Sequence, residues 1–128
     1  MSKILIDTNI LLWSIFETHL GQETKVILET AQEICVSAIS VLEIKIKQEI
    51  GKLPIFDIEQ NVKKMGFTIL PLTASQSENY RIHDARNKDP FDNTLLAVAL
   101  TGKLQFMTSD KLVLSAKIPG LETIDGRK

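Results

Sequence analysis

Four widely spaced carboxylates, Asp7, Glu43, Asp92 and Asp110, each adjoin an apolar segment that a folded core would bury. Ionised carboxylates are rarely buried unless they are paired or bind a metal, because removing the charge from water is costly. Oxygen ligands of this kind suit hard cations such as Mg²⁺ and Mn²⁺. The pattern therefore predicts an acidic pocket that holds one or two divalent cations.

Asp7 closes the apolar run 3–6, which is typical of a buried strand, and precedes a segment with a helical pattern. In an open parallel sheet, ligand crevices form at the carboxyl ends of the strands. Asp7 could equally cap the following helix by accepting a backbone hydrogen bond. Asp110 repeats the arrangement, since it follows the run 104–108 and precedes a helical turn. Capping is again the alternative.

Glu43 interrupts the apolar face of the third predicted helix, which the core is expected to bury. A rotation of about 100° per residue places it in line with Ile39, Ile46 and Ile50. One interpretation is a carboxylate that faces a pocket; the other is a solvated edge position or a buried salt bridge with a lysine such as Lys47. The cost of burying an unpaired charge favours the functional interpretation.

Asp92 follows a helix start at Asp89-Pro90, in which Asp89 is the predicted N-cap and Pro90 the first helical residue. An acid three residues after the cap complements the helix dipole, so this segment alone favours capping for Asp92. Asp92 also shares the face of Leu95 and could point towards the edge of the core. Either acid could supply a metal-facing oxygen. We expect it to be Asp92, because capping accounts for Asp89.

Predicted strands and helices alternate along the chain. The strands cover 3–7, 33–37, 67–70, 104–108 and 121–124. The helices cover 9–16, 22–32, 38–50, 57–65, 74–83 and 91–101, with a helical turn after the fourth strand. This order predicts an α/β fold, a three-layer sandwich with a central, mostly parallel sheet flanked by helices. The length of 128 residues and the hydrophobic content of 44% fit a single domain over 1–128.

Composition narrows the function classes. The formal net charge of -1 gives no overall basic signal for nucleic-acid binding, although cations bound in an acidic pocket would attract phosphate locally. Cys35 has no partner cysteine, which excludes an intrachain disulfide and favours the reducing cytoplasm. No apolar window approaches the length of a membrane span, so no membrane association is expected. Hydroxyl-nucleophile and glycine-rich phosphate-loop motifs are absent from the sequence.

Four motifs in order resemble those of the PIN-domain family, and within it the VapC-type toxins of type II toxin–antitoxin pairs. The motifs are Asp7-Thr8-Asn9, the segment 37–44 around Glu43, Asp89-Pro90-Phe91-Asp92 and Thr108-Ser109-Asp110. Each motif is weak evidence alone, but four in this order and spacing within a small domain are a specific signal. The similarity covers essentially the whole chain. The resemblance implies a Mg²⁺- or Mn²⁺-dependent endoribonuclease that cleaves RNA by metal-activated water.

The resemblance also implies roles and partners. Asp7, Glu43, Asp92 and Asp110 would be the catalytic and metal-binding acids, and the Thr8 hydroxyl would assist at the metal or the scissile phosphate. RNA would be the substrate, a cognate antitoxin would hold the toxin inactive, and a homodimer is expected. Asn93 stands where many relatives carry arginine, so a phosphate contact from this position is not expected.

Two other function classes fit the same residues. One is a catalytically silent PIN-like module that binds RNA or protein and keeps its acids as caps and salt bridges. The other is a metal-dependent phosphatase or a DNA-directed nuclease, since metal-activated water does not itself distinguish phosphate esters.

Apolar side chains of the first two helices, Leu12, Trp13, Phe16 and Ile27, cannot all be core, and the remainder could form a groove for a helix or a dimer seam.

Overall fold

The computed structural model describes residues 3–128. Its strands are β1 (Lys3–Ile6), β2 (Glu33–Ser37), β3 (Thr68–Leu70), β4 (Gln105–Thr108) and β5 (Thr123–Asp125). Its helices are α1 (Thr8–Phe16), α2 (Gln22–Thr30), α3 (Ala38–Glu49), α4 (Ile58–Lys64), α5 (Ala74–Glu78), α6 (Pro90–Gly102) and α7 (Lys111–Ala116). Within the described range the five strands form one parallel sheet in the order β3-β2-β1-β4-β5. The predicted three-layer α/β fold is confirmed.

Strand order places β1 at the centre of the sheet, between β2 and β4. The chain proceeds from β1 outward to β2 and β3, and then crosses to β4 and β5 on the other side. The carboxyl ends of β1 and β4 therefore flank the switch point, where helices leave in opposite directions and a crevice forms. Asp7 directly follows β1, and Asp110 lies two residues beyond the end of β4. Both predicted positions at this edge are confirmed.

Alternating side chains of the central strands build a core on each face of the sheet. Ile4 and Ile6 belong to one buried cluster, with α1 and α4 residues, while Leu5 belongs to the other, with α6 and α7 residues. Strands buried on both faces need apolar side chains at every position. This explains why the sequence of β1 is a continuous apolar run rather than an alternating one.

The buried face of α3 differs from the predicted one. Ser40, Ile44 and Gln48 are buried, whereas Ile46 and Ile50 are 40% and 60% exposed. Gln48 can be buried because its side-chain amide donates to the carbonyl oxygens of Pro54 and Phe56. The prediction that the isoleucine stripe faces the core is wrong for Ile46 and Ile50, whereas Ile39 is partly buried and packs against the core. Leu42, Ile46 and Ile50 instead form an exposed apolar row, called here the α3 stripe.

The segment between α5 and α6 is irregular, although a helix was predicted up to residue 83. Helix α5 has a capping box at Thr73 and Gln76, but it ends at Glu78 and buries no residue. Without an apolar face to pack, the helix is not extended by tertiary contacts. Residues 79–89 instead form a polar loop. In the described range 3–128, no helix is long and apolar enough to cross a membrane.

Candidate active site

Asp7 is held by two hydrogen bonds at the end of the central strand. The register pairs Ile6 with Met107, so that Asp7 and Thr108 lie side by side. Asp7 Oδ2 accepts a 2.6 Å bond from the Thr108 hydroxyl, and Oδ1 accepts a 2.8 Å bond from the Ile10 N–H as the N-cap of α1. Burial raises the pKa of Asp7 to about 6, and the two hydrogen bonds oppose this rise. The predicted cap is confirmed, and Asp7 also lines a polar pocket at this edge of the sheet.

Thr8 is buried and directly follows Asp7 at the start of α1. Its hydroxyl donates a 3.0 Å hydrogen bond to Ser40 Oγ on α3. The hydroxyl proton is thus used within the protein, while the oxygen keeps acceptor capacity. The bond also joins the helix after β1 to the helix after β2, and so helps to place Glu43 opposite Asp7.

Glu43 combines the two interpretations made from its sequence position. Its Oε2 lies 3.4 Å from Lys47 Nζ, so the predicted salt bridge exists, and the Glu43 side chain is 13% exposed. Its Oε1 is buried and has no hydrogen-bond partner in the described structure. A buried carboxylate oxygen without a partner is costly, and native proteins leave few of them except at functional positions.

The two acids at the start of α6 have separate contacts. Asp89 Oδ1 accepts bonds from the N–H groups of Phe91 and Asp92, which is the predicted cap. Asp92 forms no reciprocal cap, since the Asp89 N–H donates to Asn87 Oδ1 instead. Asp92 Oδ2 accepts a 3.1 Å bond from the Asn87 side-chain amide. The predicted capping-box bond is therefore absent, although Asp92 does lie in the first turn of α6, where its charge complements the helix dipole.

Asp110 caps α7 and contacts the same asparagine. Its Oδ1 accepts a 2.8 Å bond from the Leu112 N–H, and its Oδ2 lies 3.5 Å from Asn87 Nδ2. The Asp110 N–H donates to Thr108 Oγ1, so one threonine contacts both Asp7 and Asp110. Asp110 is tied to the edge of the site by these contacts.

A polar pocket of about 200 Å³ lies among these side chains. Its lining residues are Asp7, Thr8, Asn9, Glu43, Lys47, Asp89 and Asp92. Asp110 is outside this lining, but its charge reaches the pocket. Burial raises the pKa of Asp92, and the negative charges of Asp89, Glu43 and Asp110 raise it further. Asp92 and Asp110 also raise the pKa of Asp7. The four predicted acids thus form one electrostatically coupled group.

The carboxylate oxygens of the pocket are the type of ligand that a hard divalent cation prefers, but they do not form a complete coordination shell. In residues 3–128, no group of three or more acidic, histidine or cysteine side chains is arranged to hold a metal ion. Mg²⁺ nevertheless keeps several waters and is commonly bound by one or two carboxylates together with substrate phosphate. Glu43 Oε1 is a carboxylate oxygen without a partner, and the carboxylates of the lining outnumber its one lysine. The pocket therefore offers such a cation oxygen ligands and a net negative charge.

Sequence reasoning missed three polar residues that organise the acids: Asn87, Thr108 as a partner of Asp7, and Ser40. A signal existed for Thr108, because it ends β4 as Ile6 ends β1 and precedes Asp110 by two residues. Asn93 is 2% exposed and donates to the carbonyl oxygens of Asn87 and Asp89. It therefore stabilises the loop that leads into α6.

Comparison with known families decides the classification. The family model described as PIN domain matches residues 4–117 of the chain. The chain belongs to the PIN-domain family. The resemblance to the PIN-domain family is thereby confirmed, and all four acids of this PIN domain lie within the matched range. No curated protein sequence matches the chain.

Solved structures share the fold of this PIN domain at low sequence identity. A toxin–antitoxin complex from Klebsiella pneumoniae is 21% identical, with a TM-score of 0.64, over 96% of this chain and 97% of that chain. DNA-bound VapBC from Salmonella typhimurium is 18% identical, with a TM-score of 0.66, over 98% of both chains. VapBC2 from Rickettsia felis, bound to a promoter DNA fragment, is 18% identical, with a TM-score of 0.65, over 96% and 98%. The likeness establishes the common fold over nearly the whole chain.

Proposed function

We propose that this PIN domain is a Mg²⁺- or Mn²⁺-dependent endoribonuclease that acts as the toxin of a toxin–antitoxin pair. The observation that carries the proposal is the coupled group of acids at the switch point, in which Glu43 Oε1 is buried without a partner. The salt bridge with Lys47 uses only Oε2, so caps and salt bridges leave the buried Oε1 of Glu43 without a role. The likeness to toxin–antitoxin complexes supports the biological role.

Asp7, Glu43 and Asp92 are the residues that would hold the cation, and Asp110 would be a further ligand or an outer-sphere acid. A bound divalent cation supplies Lewis-acid activation of water and stabilises charge on the phosphate and the leaving oxygen. Hydrolysis in this manner leaves a 5′ phosphate and a 3′ hydroxyl. No side chain of the pocket needs to form a covalent bond to the substrate.

The pocket residues have distinct tasks beyond holding charge. Thr108 and the Ile10 N–H fix the orientation of the Asp7 carboxylate, so that it cannot rotate freely when substrate arrives. Glu43 can orient the attacking water through Oε1, which has no other partner. Lys47 is the only cationic side chain of the pocket lining, and its side chain is 36% exposed. Its ammonium group would bind a phosphate oxygen of the RNA backbone.

The proposal is tested by cleavage of a mixed pool of tRNA and ribosomal RNA with the purified, antitoxin-free chain. Mg²⁺ or Mn²⁺ is compared with EDTA, and single-stranded DNA and a phosphate monoester are included as substrates. Asp7→Asn should abolish cleavage while the chain remains folded. Asp57→Asn is a matched control, because Asp57 caps α4 in the same manner as Asp7 caps α1 but is exposed and outside the pocket.

Each outcome discriminates between the function classes. Metal-dependent RNA cleavage lost only in Asp7→Asn supports the nuclease. Cleavage of DNA or of the monoester in preference to RNA replaces it with the second class. If the chain neither cleaves RNA nor binds Mn²⁺ in calorimetry, the silent module is supported. That alternative is favoured by the absence, in residues 3–128, of three ligand side chains arranged around one metal position.

The proposed protein partner is the cognate antitoxin, and the α3 stripe is a surface that it could cover. Leu42, Ile46 and the C-cap residue Ile50 recur at intervals of four along α3, so they form a continuous exposed row on the helix that carries Glu43. An apolar helix face of the antitoxin that packs on this row would reach the acids as well. Co-purification with the product of a neighbouring gene, reduced by Ile46→Glu, tests this contact. The mass of the free chain in solution tests the expected homodimer.

A further inference from the structure

The side-chain amide of Asn87 lies between two of the four acids. Its Nδ2 is 3.1 Å from Asp92 Oδ2 and 3.5 Å from Asp110 Oδ2. An asparagine amide carries two N–H donors, so one group can serve both carboxylates. Asp92 lines the pocket and Asp110 does not. Asn87 thus bridges the carboxylate of Asp110 to the carboxylate of a pocket acid, whereas Thr108 contacts only the backbone N–H of Asp110.

Asn87 is itself fixed by its loop. Its N–H donates to the Asp84 carbonyl oxygen at 2.9 Å, and its Oδ1 accepts the Asp89 N–H at 3.1 Å. Its carbonyl oxygen accepts the buried Asn93 side chain, also at 3.1 Å. With all these groups engaged, the amide has little freedom to turn away from the two carboxylates. A donor with a defined direction can orient a carboxylate, whereas a mobile donor cannot.

The amide also has the right charge for this position. Two carboxylates near each other repel, and the repulsion is strong where water is partly excluded. A lysine or arginine here would neutralise them but would compete with a cation for the site. A neutral amide donates to both acids and leaves their total charge unchanged. The electrostatic attraction for a cation is therefore preserved while the carboxylates are held in place.

We propose that Asn87 is a positioning residue of the nuclease, which holds Asp92 and Asp110 in the arrangement that a divalent cation requires. The inference rests on the proposed function and adds a residue that the four acidic motifs do not include. Asn87 contacts neither the substrate nor the reacting atoms. It acts through the two carboxylates to which it donates, as residues outside the ligand shell of metal sites commonly do.

The first test compares Asn87→Ala with the wild type in Mn²⁺ affinity, measured by calorimetry, and in cleavage as a function of Mn²⁺ concentration. We expect a loss of about tenfold or more in affinity, with cleavage largely restored at high Mn²⁺. Arg86→Ala is the matched control, because Arg86 orders the same loop through Asp84 but contacts no residue of the pocket. An equal loss in Arg86→Ala, or no rescue by Mn²⁺, would mean that Asn87 only maintains the loop.

The second test needs neither metal nor substrate. In EDTA, Asn87→Ala should lower the melting temperature, because Asp92 and Asp110 then repel without a shared donor. Addition of Asp110→Asn should recover most of the loss, since one of the two charges is removed. Failure of this recovery contradicts the positioning role. A wild type that neither binds Mn²⁺ nor cuts RNA would overturn the nuclease instead, so the two failures are distinct.

Discussion

The Thr108 hydroxyl donates a 2.6 Å hydrogen bond to Asp7 Oδ2 across two neighbouring parallel strands. The contact is set by the register that pairs Ile6 with Met107, since each residue of the bond follows a paired one. Residues 7 and 108 are far apart in sequence, yet the sheet makes them adjacent. A residue of another strand therefore lowers the pKa of Asp7, against the larger rise that burial causes.

Replacement of Thr108 by valine should shift the pH dependence of cation binding. The Thr108 bond lowers the pKa of Asp7, which burial has raised to about 6. Without the hydroxyl, the pKa rises further, and the carboxyl must lose its proton before it binds a cation. The Mn²⁺ affinity of the wild type should fall as the pH drops below about 6. In Thr108→Val, calorimetry should show that fall at a higher pH. Thr108→Ser should match the wild type, and identical profiles for all three proteins would contradict the assignment.

Asp7→Asn should stabilise the metal-free protein at neutral pH. The folded-state pKa of Asp7 is about 6 and its ordinary value is 3.8, so its contribution to stability is present below pH 3.8 and is lost as the pH rises through about 6. Asparagine removes the buried charge and keeps an oxygen for the Ile10 N–H. The free energy of unfolding at pH 7.5 should rise by about 1–3 kcal/mol. In urea titrations, the difference in free energy of unfolding between Asp7→Asn and the wild type should become smaller below pH 5. A difference that does not change with pH would show that the Asp7 charge is not its cause.

Lys47→Ala should weaken RNA binding without loss of the cation. A charge-assisted contact with phosphate contributes about 1.5–3 kcal/mol, so KM should rise by about tenfold or more. Mn²⁺ affinity should stay equal or increase, because Glu43 loses a competing partner. Lys45→Ala is the control on the same helix, since Lys45 pairs with exposed Glu49 at 3.2 Å and is outside the pocket. Equal KM values for the two variants would exclude the phosphate contact.

Thr8→Val separates the structural and chemical roles of the buried hydroxyl. Loss of the bond to Ser40 should cost about 1 kcal/mol of stability, because the buried Ser40 hydroxyl loses its partner. The double change Thr8→Val with Ser40→Ala should restore stability, since neither polar group remains. If Thr8 assists at the metal or the phosphate, cleavage stays low in the double variant and is retained in Thr8→Ser. Recovery of cleavage along with stability would limit Thr8 to a structural role.

The fold and the outer positions of the site could be predicted because short-range patterns determine them. A continuous apolar run followed by Asp7 indicates a strand that ends at a polar residue and a helix that begins there. The same pattern repeats at Asp110, and strand alternation with helices places both at one sheet edge. These inferences need only local sequence and the geometry of parallel sheets.

The contacts between segments could not be predicted in the same way. The face of α3 was misassigned because periodicity treats Gln48 as polar, whereas the loop at Pro54 and Phe56 satisfies it inside the protein. Asp92 appeared to be a capping acid because the competing bond from Asp89 to Asn87 depends on the loop conformation. In both cases the deciding partner lies in an irregular segment, for which single-sequence patterns carry little information.

The residues that hold the four acids in place belong to parts of the protein that differ in local stability. Asp7 directly follows the central strand, which is paired on both sides, while Asn87 belongs to the irregular and mostly exposed loop 79–89. Local opening of that loop requires far less free energy than unfolding of the sheet. Backbone amides of the loop should therefore exchange with deuterium long before those of β1. On warming, the loop should open and the acids should lose their arrangement while the sheet is still folded. Cleavage activity should therefore be lost at a lower temperature than the melting temperature of the protein.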